Sequence, residues 1–190
     1  PLTAHAQDLS WGQKMFGKQS HDFGVVARGA DVSYRMPIEN LYQETINIVD
    51  VRTGCSCISA AASKTQLLSG EKGYLEIKMD TVRFSKERKS QVTVSLSMEG
   101  PQSAYQQVVL PVQGYIRTDV VLTPGGAEFG SVAEGTAQER QIQLAYAGRP
   151  DWKVLDVKSK NPNILVKCDE TGRNPDGTVN YLLNVSLKAG

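Results

Sequence analysis

The chain is predicted to be all-β, organised as two tandem antiparallel β-sandwiches, and three observations in its 190 residues carry that expectation. The first is an internal repeat. Phe23-Gly24-Val25-Val26-Ala27-Arg28-Gly29 returns 106 positions later as Phe129-Gly130-Ser131-Val132-Ala133-Glu134-Gly135. The register continues without a gap, so that Ile48-Val49-Asp50-Val51-Arg52-Thr53 falls on Val154-Leu155-Asp156-Val157-Lys158-Ser159. A constant period of this size means two copies of a domain-sized unit, not a short solenoid repeat. The second observation is apolar residues recurring with period two, the mark of a strand with one buried face. The third is Gly and Pro punctuation at Ser69-Gly70, Gly100-Pro101 and Pro124-Gly125-Gly126, at the spacing of a sandwich. No useful window shows helical periodicity.

Taken in order, residues 1–20 read as a signal-peptide remnant and an arm. Ala4-His5-Ala6 has the small-x-small form of a signal peptidase site, which would start the mature chain near Gln7 and place it outside the cytoplasm. Trp11, Met15 and Phe16 then mark an arm that lays aromatics on the first domain. Residues 21–117 form the first sandwich. Its strands are read from Val32, Tyr34, Met36 and Ile38; Ile46, Ile48, Val49 and Val51; Leu75, Ile77 and Met79; Val92, Val94 and Leu96; and Val108, Leu110 and Val112.

Residues 118–190 form the second sandwich, with strands expected at 120–122, 128–132, 141–146, 154–157, 164–168 and 181–187. The period places Tyr181, Leu183 and Val185 on Leu75, Ile77 and Met79. It also sets Gly190 opposite Phe84, which leaves the strands near 91–97 and 105–116 without counterparts. Three readings follow: a piece of a longer protein, which is preferred; a domain closed with fewer strands; or strands supplied by a partner through β-augmentation at an open edge.

Composition excludes some partners. Lys plus Arg (21) nearly cancel Asp plus Glu (20), and no long basic run occurs, so nucleic acid is not an expected partner. No apolar stretch approaches the roughly 18 to 20 residues that span a bilayer, so no membrane insertion is expected in this chain.

Chemistry has few places to reside. Cys55 and Cys57, if both were on an extended strand, would hold their Cα atoms roughly 6.5 to 7 Å apart, near the upper limit for a disulfide. A bulge or turn would close the bridge, and so small and exposed a ring would be redox-labile. The same pair could hold a soft ion such as Cu(I), whereas a zinc site needs four ligands and the chain has two His and three Cys. The remaining alternative is a static clip or apolar packing. Cys168 aligns with Ala62 and is expected as a buried thiol. His21, beside Asp22, reads as a hydrogen-bonding edge residue, and the stretch 83–89 as a solvated hairpin. No G-x-S-x-G, H-E-x-x-H or phosphate-binding loop appears, and neither catalytic residue, metal nor cofactor is expected. Phe23 and Phe129 are assigned to the sandwich edges, Gly24 and Gly130 to bends beside them, and Gly29 and Gly135 to the following turns.

His21-Asp22-Phe23-Gly24-Val25-Val26-Ala27-Arg28-Gly29, Ile38-Glu39-Asn40, Val51-Arg52-Thr53-Gly54-Cys55-Ser56-Cys57 and Leu68-Ser69-Gly70-Glu71-Lys72-Gly73 together resemble a family of uncharacterised secreted bacterial proteins. That family's pattern is an F-G-x-V segment, an Asn-bearing strand, a C-x-C after the third strand and a G-E-x-G turn. It is related by fold to the immunoglobulin-like domains of the major sperm protein, ASPM-SPD-2-hydin and PapD groups. The resemblance covers about residues 20 to 117, with a Cys-less echo over 126 to 188. Two positions depart from it: Ser69 stands where the turn usually has Pro, and Ser56 where the cysteine segment usually has Gly. The resemblance implies immunoglobulin-like sandwiches and no known catalytic activity. The expected function is a non-enzymatic, secreted module of the periplasm or cell surface, structural or binding protein partners in the cell envelope. The alternative is thiol redox or copper handling through Cys55 and Cys57.

Overall fold

The computed structural model describes residues 9–188 except Gln102, Pro150 and Asp176. The site at Ala4-His5-Ala6 lies outside the described residues. The fold is nearly all-β and antiparallel, as the alternation predicts. A four-residue helix, α1 (Trp11–Lys14), precedes β1 (His21–Arg28), β2 (Val32–Glu39), β3 (Ile46–Thr53), β4 (Ile58–Ala62), β5 (Gln66–Leu67), β6 (Lys72–Met79), β7 (Lys86–Met98), β8 (Ala104–Thr123), β9 (Gln138–Ala147), β10 (Ile164–Arg173) and β11 (Thr178–Leu187).

The chain divides into two compact units. The first takes residues up to 24, 32–80 and 87–114, and the second takes 25–31, 81–86 and the chain from 115 onward. Neither unit is one continuous segment, because β1 and β8 each run from one unit into the other.

In the first unit β2, β6 and β4 make one sheet in the order β2-β6-β4. β8, β7, β3 and β5 follow one another in a second sheet, with β1 paired to β8. The alternating residues named above supply the core: Met36, Ile38, Leu75, Ile77 and Met79 from one sheet are buried, as are Ile46, Ile48, Val92, Val94, Leu96, Val108, Leu110 and Val112 from the other. Along β3 the ladder to β7 slips between Ile48 and Asp50, so Val49 and Asp50 interrupt the strict alternation. The arm closes one margin of this unit. Ser10 caps α1 through a reciprocal capping box with Gln13. Met15 and Phe16 are then buried, and Phe16 forms an isolated bridge with Ile38. Trp11 meets Tyr42 edge-on at 6.0 Å, and the Tyr42 hydroxyl donates to the Trp11 carbonyl at 2.9 Å.

In the second unit the sheet order is β10-β11-β9-β8, with Val120 to Thr123 of β8 paired to β9. Val120, Tyr146, Val179 and Tyr181 form the core cluster, flanked by Ala27, Leu144, Trp152, Val154, Cys168 and Leu183. Adding the 106-residue period to β2, β4 and β6 gives β9, β10 and β11, and the order β2-β6-β4 recurs as β9-β11-β10. One detail of the alignment is corrected. Leu75 faces Met36, whereas the residue facing Ile142, the counterpart of Met36, is Leu183. β11 has therefore slid by two residues, and Leu183, Val185 and Leu187 take the places of Leu75, Ile77 and Met79. A shift of two keeps the same residues on the same face.

Two expected strands, 128–132 and 154–157, do not form. Their counterparts β1 and β3 are strands because they pair with β8 and β7, and the described residues offer the second copies no such neighbour. The described strands of this unit accordingly make one sheet.

Candidate functional site

The turn between β3 and β4 carries the C-x-C. Cys55 and Cys57 are joined by a disulfide, with their Cα atoms 5.3 Å apart, closer than an extended strand would place them, because the chain turns here. Backbone bonds fix the turn at both ends: Gly54 N–H donates to the Gln91 carbonyl, and the Cys57 carbonyl accepts from Asp80 N–H, each at 2.9 Å. Within the turn the Cys57 N–H donates to Cys55 Sγ at 3.2 Å. Cys57 is buried at 3% exposure, while Cys55 is half-buried. The bridge engages both sulfurs, and among the described residues no three His, Cys, Asp or Glu side chains gather as metal ligands.

The equivalent turn in the second unit is Asn161-Pro162-Asn163. There the Asn163 N–H donates to Asn161 Oδ1 at 3.0 Å, and the Asn163 carbonyl accepts from Lys188 N–H at 2.9 Å. Ile58 N–H reaches the Cys55 carbonyl at 3.5 Å, and Ile164 N–H reaches that of Asn161 at 3.1 Å. Three of these bonds are repeated, with an asparagine side chain where Cys55 Sγ stands. Sequence comparison missed this because Cys and Asn share no letter-level similarity, although both present an acceptor to the N–H two residues on.

Residues 152–159, the counterpart of β3, form the second feature. Trp152, Val154 and Val157 are half-buried while Lys153, Leu155 and Asp156 are exposed, which copies the in-out order of β3, including the two residues at its slip. Trp152 and Val154 pack on the core cluster. Lys158 pairs with Asp156 as Arg52 pairs with Asp50. Leu155 is 95% exposed where Val49 is 59% exposed. Among the described residues, the backbone groups of 153–157 have no ladder partner. The segment keeps the facing of a strand without a ladder neighbour among the described residues.

The repeated glycines agree in conformation. Gly24 and Gly130 have φ of 69° and 62°, and Gly29 and Gly135 have 80° and 78°. The left-handed region explains Gly at all four, with a matching bond from Ala30 N–H to Ala27 and from Thr136 N–H to Ala133, each 3.2 Å. Phe23 and Phe129 are half-buried; Phe23 meets the His21 ring edge-on, and Phe129 lies under the Arg140 guanidinium at 5.5 Å. His21 stacks on Tyr34 with centroids 3.7 Å apart, and its pKa is lowered by burial and by Lys18, against the opposing pull of Asp22. An aromatic stack, not the expected hydrogen bond, places it. Cys168 is half-buried beside the second core, and burial followed by Asp169 pushes its thiol pKa up.

Residues 15–109, half of the chain and the span that holds the C-x-C turn, match the family described as "Protein of unknown function (DUF1573)". The chain belongs to this DUF1573 family. No curated protein matches it. Solved structures with some likeness to this DUF1573 protein include the Vibrio cholerae VesB protease, at 15% identity and a TM-score of 0.45, covering 54% of this chain and 32% of the protease. The chain thus spans about a third of that protein's length. Another is a protein of unknown function from Porphyromonas gingivalis W83, at 14% identity and a TM-score of 0.37, covering 91% and 82% of the two chains. Likenesses at these scores assign neither fold nor activity. No catalytic family is indicated. No helix among the described residues is long and apolar enough to cross a membrane.

Proposed function

We propose that this DUF1573 protein is a non-enzymatic, extracytoplasmic interaction module, exported to the periplasm or cell surface, that binds a protein partner by accepting a β-strand along residues 152–158. The observation that carries the reading is the β3-like segment packed on the second core without a ladder partner. A segment whose Trp152 and Val154 already pack on the core has part of its ordering entropy spent before a partner arrives. The N–H and C=O groups of residues 153–157, which have no ladder partner among the described residues, favour any strand that can pair with them. The small-x-small site at residues 4–6 supports export. The recurrence of the β2-β6-β4 order as β9-β11-β10 supports two copies of one immunoglobulin-like unit.

In the first unit β7 is the strand that pairs with β3, which makes a peptide of residues 91–97 (Gln-Val-Thr-Val-Ser-Leu-Ser) the natural probe. Titrated into isotope-labelled protein, it should perturb and protect amides within 153–157, and Leu155→Lys should abolish the effect while changing stability by less than about 0.5 kcal/mol. Unchanged amides at about 1 mM peptide, a concentration that detects binding weaker by orders of magnitude than a specific interface, would sink the proposal.

A further inference from the structure

A second inference, independent of strand binding, comes from the two turns that the repeat equates. Asn161-Pro162-Asn163 makes the bend of Cys55-Ser56-Cys57 with no covalent link, held by the same three backbone and side-chain bonds. The bend therefore does not require the bridge. The bridge also closes a loop with a single residue between its cysteines, and the stabilisation a disulfide draws from restricting the unfolded chain grows with loop length, so little is drawn here. A static clip is a poor account of a bond that its own copy omits.

The chemistry of the pair is asymmetric. Cys55 Sγ belongs to the half-buried residue and Cys57 Sγ to the buried one, so an incoming thiolate meets Cys55 first. The Cys57 N–H already points at Cys55 Sγ, as the Asn163 N–H points at Asn161 Oδ1. When the bridge opens, that donor stands ready for a thiolate on Cys55, and a hydrogen bond to a thiolate favours its charged form. One backbone thus suits both the disulfide and the dithiol.

The geometry points to Cys55–Cys57 as a reversible thiol–disulfide exchange site that accepts two electrons from an exposed protein dithiol. A thiolate of the dithiol attacks Cys55 Sγ. A mixed disulfide forms, the Cys55–Cys57 bond breaks, and Cys57 Sγ departs as a thiolate that takes a proton from water. The dithiol's second thiolate then attacks its own sulfur in the mixed disulfide and releases Cys55 as a thiolate beside the Cys57 N–H. The dithiol ends as a disulfide and the pair as two reduced cysteines, which balances two electrons. Run backwards, the same steps reduce a disulfide of the partner.

The test uses the full chain with Cys168→Ser, so that only the pair reports. Under native conditions, a synthetic peptide with two exposed cysteines should reduce the bridge at a rate within about tenfold of its rate with oxidised glutathione. The amides of Cys57, Ile58 and Asp80 should stay protected from exchange after reduction. Cys57→Ser, which leaves Cys55 alone, should attack the disulfide form of the same peptide and trap it as a mixed disulfide, releasing the peptide's other sulfur as a thiolate, at least about tenfold faster than Cys55→Ser, which leaves the buried sulfur. Cys55→Asn restores the acceptor of the second copy and should keep the turn protected without any exchange, which guards against variants that fail through misfolding. Reduction only where the protein unfolds, loss of turn protection on reduction, or equal trapping by the two Ser variants would each overturn the assignment.

Discussion

The indole of Trp152 lies flat on the ring of Tyr146, with centroids 4.3 Å apart and planes 13° apart. It also meets Tyr181 edge-on at 5.8 Å. Trp152 occupies the place that Ile46 holds in β3, and ring stacking anchors the segment where the first unit uses a ladder. Trp152→Ala should lower the unfolding free energy by about 2 to 3 kcal/mol, since a half-buried aromatic and its stack are lost, and Trp152→Phe should recover part of it. Chemical denaturation measures both. An alanine variant as stable as the parent would mean that the segment is not anchored there.

Asn40 is fully buried and spends its side chain on the backbone. Nδ2 donates to the carbonyls of Glu44 and Leu67 at 2.8 and 3.0 Å, and Oδ1 accepts from Tyr42 N–H at 2.9 Å. Asn40→Leu strands three buried or part-buried backbone groups and should cost about 2 to 4 kcal/mol, against a much smaller loss for an exposed asparagine such as Asn180 changed to Ala in the same assay.

The two glycines of the first F-G-x-V copy should respond unequally to Ala. Both have positive φ, which costs a side chain about 1 to 2 kcal/mol. A Cβ at Gly24 meets open space, whereas at Gly29 it would lie 2.5 Å from the Leu122 carbonyl oxygen. Gly29→Ala should therefore destabilise by clearly more than Gly24→Ala, and equal losses would show that the backbone at Leu122 yields freely.

Glu71 of the G-E-x-G turn accepts from Lys64 Nζ at 2.5 Å and from Leu68 N–H at 2.8 Å, and these bonds, in that order, lower its pKa. A carboxyl with a folded pKa below its unfolded one contributes stability that is complete above the ordinary Glu range and is lost as pH falls through the folded pKa. The Glu71 titration followed by NMR should accordingly have its midpoint below that of a free Glu. Glu71→Gln should flatten the acid limb of the stability profile. A midpoint at or above the ordinary value would contradict the bonding described.

Much of the fold was legible because burial on one face imposes period two, and β2, β3, β6, β7 and β9 carry that pattern in Val, Ile, Leu, Met and Tyr. β4 was not, since Ala60-Ala61-Ala62 has little strand propensity of its own and is extended by pairing with β6. The failure at 154–157 has a related cause. Its letters encode which side chains face the core, and the structure keeps that order, but strand formation also needs a second backbone, which no local sequence supplies. The two-residue slide of β11 is hidden from any pattern of period two. At the candidate exchange site, the spacing of Cys55 and Cys57 was visible but the turn that brings them together was not, and the Asn161–Asn163 equivalence emerged only from the hydrogen bonds.

The even slide of β11 has a practical corollary for protein engineering. The connection between β10 and β11 has already absorbed a length change relative to its counterpart between β4 and β6 while Val179, Tyr181 and Val185 stayed inward. Length there is quantised in pairs. A loop graft of two or four residues moves the strand along its own axis, while a graft of one or three that is taken up along the strand turns those three side chains to water.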